Sequence, residues 1–235
     1  ICITLIHQEP LSFPDLSVAE NLVLGRLAGS PWSNVPWKEI EAQGYIAPAE
    51  CIEVRVTLTD HERLTYATVE QEEKYRTCAS TATKRDVVLA LAKQHENDQT
   101  LIIGQYIDQI DEIATALNVP IVKGETPIKE REKLFAQFRT GELKCLVVSK
   151  VANFSIDLPE ASIAIQISGT FGSRQEEAQR LGRILRPKAD GRTARFYSVV
   201  ARDTLDQDYA QNRQRFLAEQ GYAYKIIDAD EVPRS

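Results

Sequence analysis

Two stretches of this sequence carry side chains whose types and spacing suit phosphate chemistry. The richer one is Gln175-Glu-Glu-Ala-Gln-Arg-Leu-Gly-Arg-Ile-Leu-Arg-Pro187. On a helix, Gln179, Arg183 and Arg186 stand at i, i+4 and i+7 and share one face. Two guanidinium groups beside a glutamine suit bidentate phosphate recognition, and they suit charge that develops during phosphoryl transfer. Gly182 in mid-helix costs about 1 kcal/mol relative to alanine, which points to close packing there. Residues 174–202 hold eight basic and three acidic side chains, a local +5 in an acidic chain. The alternative is a solvated basic helix, and the helix breakers Gly182 and Pro187 stand against it.

The second stretch is Val148-Ser-Lys-Val-Ala-Asn-Phe-Ser-Ile-Asp-Leu-Pro159. A strand ends at Ser149, where a hydroxyl and backbone amides can hold a nucleic-acid phosphate. Asp157 follows eight residues later and can accept a ribose hydroxyl. Taken alone, an ordinary loop with Asp157 as a helix cap explains this stretch better.

These residues need a scaffold, and the composition allows one. A chain of 235 residues, 43% apolar and 26% charged, is an ordinary globular protein. Its net charge of −6 excludes an overall basic coat but not a local patch. No apolar run approaches the ~18 residues of a membrane span, and residues 1–6 are too short for a signal sequence. The expectation is a soluble, cytoplasmic protein with no membrane partner. The sequence contains no methionine, which predicts a piece excised from a longer protein. Cys2, Cys51, Cys78 and Cys145 are scattered without a CxxC, and His7, His61 and His95 are the only histidines. Reduced structural thiols and no metal site are expected.

The chain divides near residue 35. Residues 1–6 read as a strand, 10–14 as a turn and 15–20 as a helix start capped by Asp15 or Ser17. Gly25, Gly29, Ser30, Pro31 and Pro36 then form a breaker-rich joint. From residue 36 onward the pattern is regular. Residues 37–43 suggest a short helix, 52–57 alternate like a strand with one wet face, and 60–95 read as a long helical stretch broken near 80–83. A strand–helix rhythm follows. Strands are expected at 101–104, 119–122, 145–148, 162–167 and 194–200. The intervening helices carry Ile107, Ile110, Ile113, Ala114 and Leu117, then Leu134, Phe135 and Phe138, then residues 175–185. Short apolar strands alternating with helices imply an α/β fold with a parallel sheet, whose ligands sit beyond the carboxyl ends of the strands. The motifs should therefore follow Gly104, Val122, Val148 and Ile167.

The motifs resemble those of superfamily 2 helicases, in particular the XPB-like branch. Gln179-Arg-Leu-Gly-Arg-Ile-Leu-Arg-Pro187 is similar to motif VI, and Ser149-Lys-Val with Ser155-Ile-Asp-Leu-Pro159 to motif V. Leu101-Ile-Ile-Gly-Gln-Tyr106 resembles motif IV, and Gly124-Glu-Thr126 with Glu130-Arg131 and Phe138-Arg139 the motif between them. The likeness runs from about residue 36 to 224 in the family's order. Ser155 departs from it, standing where many members have glycine. The phosphate loop G-x4-G-K-[ST] and the Asp-Glu pair for Mg²⁺ are absent from this sequence, so the resemblance is to the second, C-terminal RecA-like lobe alone. Residues 1–26, with Ile6-His-Gln-Glu9 and Asp15-Leu-Ser-Val-Ala-Glu-Asn21, resemble the Q-loop region of sugar-importer ABC ATPases. There Gln8 would reach toward Mg²⁺, and the segment reads as a leader of separate origin.

The helicase resemblance implies a RecA-like parallel sheet flanked by helices over residues 36–235. It implies ATP and Mg²⁺ bound only together with a first lobe, and DNA as partner. By that resemblance Arg183 and Arg186 would be arginine fingers, Asp157 would contact the ribose and Gln179 would couple nucleotide state to lobe closure. Thr126, Ser149, Lys150 and Arg174 would hold DNA phosphates. The implied activity is ATP-dependent DNA helicase or translocase work in repair, with this chain alone inactive. A non-catalytic RecA-like docking module, or less favourably an ABC-transporter ATPase fragment, stands as the alternative.

Overall fold

The computed structural model describes residues 49–149, 161–169, 193–219, 222 and 224–233. Seven strands form one sheet: β1 (Ala49–Val56), β2 (Thr100–Gly104), β3 (Ile121–Val122), β4 (Cys145–Ser149), β5 (Ile163–Gln166), β6 (Ala194–Ala201) and β7 (Tyr224–Asp228). Their order is β3-β4-β2-β5-β6-β1-β7, and every neighbouring pair is parallel. The helices are α1 (Asp60–Thr68), α2 (Lys74–Ala79), α3 (Ala82–Gln94), α4 (Ile107–Leu117), α5 (Ile128–Arg139) and α6 (Leu205–Glu219).

Period-two alternation sorts the strand residues onto two faces. Ile102, Val147, Ile165 and Val199 pack with Val87, Val88 and Leu91 of α3 and with Ile110 and Ile113 of α4. Leu101, Ile103, Leu146, Val148 and Phe196 face the other way, onto Phe135 and Phe138 of α5 and Leu217 of α6. All five residues of β2 are buried, as a central strand covered on both faces requires. A third, smaller cluster of Leu58, Tyr75, Cys78, Ala79 and Ala201 sits beyond the ends of β1 and β6.

The strands and the helix at 107–117 follow the sequence pattern, with differences that have physical causes. The stretch 60–95 forms three helices. Its first break comes at Val69, which is extended (φ −73°, ψ 154°). There the Thr65 hydroxyl donates to the His61 carbonyl, and that of Thr68 to Leu64 and Thr65, competing with the helix ladder. The expected wet face of residues 52–57 is only partly wet, for Thr57 is exposed and Arg55 half-buried but Glu53 is not. Glu53 there is buried. It accepts from Arg55 Nε at 2.8 Å and from the Tyr224 hydroxyl at 2.7 Å. Ile107 is exposed, whereas Ile110, Ile113 and Ala114 of the same expected face are buried. Neither α6 nor β7 has a strong sequence pattern. Among its described residues α6 buries Asp206, Ala210, Arg213 and Leu217 amid polar neighbours. The expected elements at 1–6, 15–20, 37–43 and 175–185 lie outside the described residues.

Candidate functional site at the carboxyl ends of the strands

The sheet reverses its winding between β2 and β5. From β2 the chain passes to β3 and β4 on one side, and from β5 to β6 on the other. Such a reversal opens a crevice beyond the carboxyl ends of the two strands, the usual ligand position in open parallel sheets. The motif positions expected after Gly104, Val122, Val148 and Ile167 belong to four strands that adjoin in the sheet.

At the reversal the two strand ends are tied together. The Gln105 amide donates to Ser168 Oγ at 2.8 Å, and the Ser168 hydroxyl donates to Gln109 Oε1 at 2.7 Å. Gln109 Nε2 donates in turn to the carbonyl of Ala79, the last residue of α2, at 2.5 Å. The next residue, Gly169, donates its amide to the Tyr75 hydroxyl at 2.9 Å. Gly169 has φ 150°, a conformation that L side chains rarely adopt. Gly104 serves packing instead, since a Cβ there would lie 2.3 Å from Ile110 Cγ2 of α4.

The turn after β3 is built from short-range bonds. Thr126 Oγ1 accepts from the Lys123 amide at 2.8 Å, and the Thr126 amide donates to the Lys123 carbonyl at 3.1 Å. Arg131, buried in the first turns of α5, gathers the turn from below. Its Nη2 reaches the carbonyls of Lys123 (3.3 Å), Gly124 (3.1 Å) and Thr126 (3.1 Å). Thr126 is half-buried, and its hydroxyl, having accepted one bond, keeps a proton to donate. Lys123 is held by Asp111 at 2.7 Å, so its charge is partly neutralised.

Ser149 ends β4 opposite Gly104 and is wholly buried. Lys150, Asp157, Arg174, Gln179, Arg183 and Arg186 lie outside the described residues. Of the eight basic residues in 174–202, the two that are described are both paired with this chain's own carboxylates. Arg195 pairs with Glu50 at 3.1 Å and Arg202 with Asp228. Sequence reasoning placed Thr126 and Ser149 but gave no role to Tyr75, Gln109, Ser168 or Gly169. The Tyr75–Gly169 bond spans 94 residues, and no local pattern announces it. Burial, with the charge of Asp206 adding to it, pushes the Tyr75 phenol well above its ordinary range, so it stays neutral.

Among the described residues no group of three or more His, Cys, Asp or Glu side chains could hold a metal ion. Nor is any described helix long and apolar enough to cross a membrane.

Comparison with known proteins agrees with this geometry. The family described as ERCC3/RAD25/XPB C-terminal helicase matches residues 40–234. A "DNA 3'-5' helicase XPB" of Kineococcus radiotolerans is 66% identical over 206 residues, covering 88% of this chain and 37% of the relative. The protein of the same name from Mycobacterium tuberculosis is 64% identical, covering 88% of this chain and 38% of the relative. The Drosophila melanogaster "General transcription and DNA repair factor IIH helicase/translocase subunit XPB" is 37% identical, over 87% of this chain and 26% of its own length. The chain thus spans well under half the length of the relatives it matches. Among solved structures, the C-terminal domain of the DEAD-box protein Dbp5 superposes with a TM-score of 0.58 at 18% identity. That likeness covers 79% of this chain and 92% of the other. A DEAD-box protein from Methanococcus jannaschii gives 0.52 at 16% identity, over 80% of this chain and 43% of the other. These two show a shared RecA-like fold. With the match over residues 40–234, the identities to named relatives and a parallel sheet flanked by helices, this chain belongs to the ERCC3/RAD25/XPB C-terminal helicase family.

Proposed function

We propose that this chain is the second motor lobe of an ATP-dependent DNA helicase or translocase, of the 3′–5′ kind that two relatives' names describe and the repair-associated kind that a third's describes. The observation that carries the reading is the row of motif-bearing strand ends flanking the β2–β5 reversal, with the Thr126 turn clamped by Arg131.

DNA is held by its backbone. The Thr126 hydroxyl donates to a phosphate oxygen, and Lys150 and Arg174 add positive charge beside it. Ser149, buried at the end of β4, sets the strand end from which Lys150 follows. Contacts of this kind position a strand without reading its bases. ATP lies between this lobe and a first lobe that supplies the phosphate loop. Mg²⁺ is assigned to that first lobe, since the phosphate loop and the Asp-Glu pair that would hold it are not in this sequence. Asp157 accepts from the ribose, Gln179 couples nucleotide state to closure, and Arg183 and Arg186 meet the γ-phosphate as charge develops on it. Residues 1–35 are assigned a separate origin and no part in this chemistry.

The test is DNA-stimulated ATP hydrolysis by a two-lobe protein containing this chain. Arg186→Ala should lower kcat by ~10²–10⁵, since an interaction made mainly in the transition state is lost. Arg186→Lys should rescue little, because a point-charge ammonium cannot reproduce the planar fork. Near-normal turnover in both Arg186→Ala and Arg183→Ala would remove the assignment and favour a docking module.

A further inference from the structure

The grip on the end of β5 comes from an element that bears none of the recognised motifs. Helix α2 is one and a half turns long, yet it holds two consecutive residues beyond β5. Tyr75 takes the Gly169 amide directly, and Ala79 takes the Gln109 amide whose other end accepts from Ser168. Tyr75 is only 7% exposed and its ring is fixed by neighbours. Tyr209 of α6 meets it edge-on at 5.0 Å, and Tyr106, at the end of the β2 motif, lies 6.3 Å away. The hydroxyl is therefore delivered to Gly169 by a ring with little freedom of its own.

Gly169 is the last described residue before the arginine-bearing segment. Arg174 follows five residues on in sequence, and Gln179, Arg183 and Arg186 lie beyond it. Its φ of 150° sets the direction in which the chain departs, and the hydrogen bond to Tyr75 holds that direction. We propose that Tyr75 is a positioning residue for nucleotide hydrolysis: through Gly169 it fixes the strand exit from which the catalytic arginines are presented. The inference rests on the second-lobe reading and adds a residue that the motifs do not contain.

Tyr75→Phe removes one oxygen and keeps the ring. In the 235-residue chain it should speed hydrogen exchange at the Gly169 amide by about tenfold or more, since a closed bond is opened locally. In the two-lobe protein, kcat for DNA-stimulated ATP hydrolysis should fall by about 10- to 100-fold, the range expected when catalytic groups shift by about 1 Å. A merely structural defect lowers the fraction of working sites and leaves the affinities of the rest unchanged. A positioning defect instead weakens transition-state mimicry. ADP with aluminium fluoride should bind about tenfold more weakly while ADP alone stays within about twofold. Tyr209→Phe, which keeps the ring packed on Tyr75 and leaves the Tyr75–Gly169 bond in place, should leave all of these unchanged.

Wild-type turnover and analogue affinity in Tyr75→Phe would overturn the inference. So would equal losses of ADP and analogue binding. Arg186→Ala is run beside it: if that variant also turns over normally, the second-lobe reading itself fails. If it is dead while Tyr75→Phe is normal, only the positioning role fails. Should Tyr75→Phe not fold, Ser168→Ala cuts the parallel grip through Gln109 and must give the same selective loss of the analogue. Its absence there would overturn the proposal.

Discussion

Replacing Lys84 by methionine should destabilise the chain more than any surface charge change. Lys84, in the first turn of α3, is wholly buried, and its Nζ lies 2.6 Å from Asp206 Oδ2. The same carboxylate oxygen accepts from the Ala201 amide at 3.0 Å, so one pair joins α3, the end of β6 and α6. Methionine keeps the apolar stem but leaves a buried carboxylate with that amide and no cation. Breaking a buried pair on one side costs about 3–5 kcal/mol. For a domain of this size that lowers the melting temperature by about 6–20 °C, at about 2–4 °C per kcal/mol. Lys84→Met with Asp206→Leu removes both charges and leaves chiefly the Ala201 amide orphaned, at about 1–3 kcal/mol. The double variant should thus be more stable than Lys84→Met alone. Urea unfolding of the 235-residue chain followed by circular dichroism measures the wild type, Lys84→Met, Asp206→Leu and the double variant. A cost below about 1 kcal/mol for Lys84→Met, or a double-variant cost equal to the sum of the singles, would refute the account.

Two further outcomes are expected. The isolated chain should bind single-stranded DNA weakly, with a log–log salt slope of about −1.4 to −2.8 for two to four phosphates. In the same titration Thr126→Val should weaken binding by about 3- to 10-fold without changing the slope, because a hydrogen bond but no charge is lost, and Thr126→Ser should restore it. A slope steeper than about −5, or strong base preference, would show the contacts to be misplaced. The second concerns acid stability. Burial raises the Glu62 pKa, but hydrogen bonds from the Thr83 hydroxyl and amide and from Thr59 outweigh it and hold the carboxyl below its ordinary range. A depressed carboxyl stabilises the fold above its unfolded pKa, and this support is lost as pH falls through the lower folded value. Glu62→Gln should therefore be less stable than wild type near neutrality, with the gap closing as pH falls through and below the ordinary carboxyl range. A gap that is constant with pH would assign the loss to the cap geometry instead.

Much of the scaffold was legible in the chain because its cause is local. Leu101, Ile103, Leu146 and Val148 alternate with Ile102 and Val147, and that pattern marks strands wherever they end up. The motif residues were legible for a related reason: Thr126 and Arg131 are five apart, and one helix start brings them together. Burial direction was not legible for residues 52–57. Alternation tells two faces apart, but the partner that helps bury Glu53 on the second face, Tyr224, lies 171 residues away. Nor was α6, whose buried Asp206 and Arg213 look like surface residues until their surroundings are known.

The functional strand ends divide in the same way. Composition and spacing singled out residues suited to phosphate, and of these Thr126 follows β3 and Ser149 ends β4 in the structure. Strand order is a tertiary property, and the placing of β5 next to β2 rather than β4 creates the reversal beside which the candidate site is proposed. Tyr75 reaches Gly169 across 94 residues and Lys84 reaches Asp206 across 122, each through a single polar contact. Pairings at that separation leave no periodic trace, because hydrophobic pattern encodes which side of an element is buried and not which partner it meets.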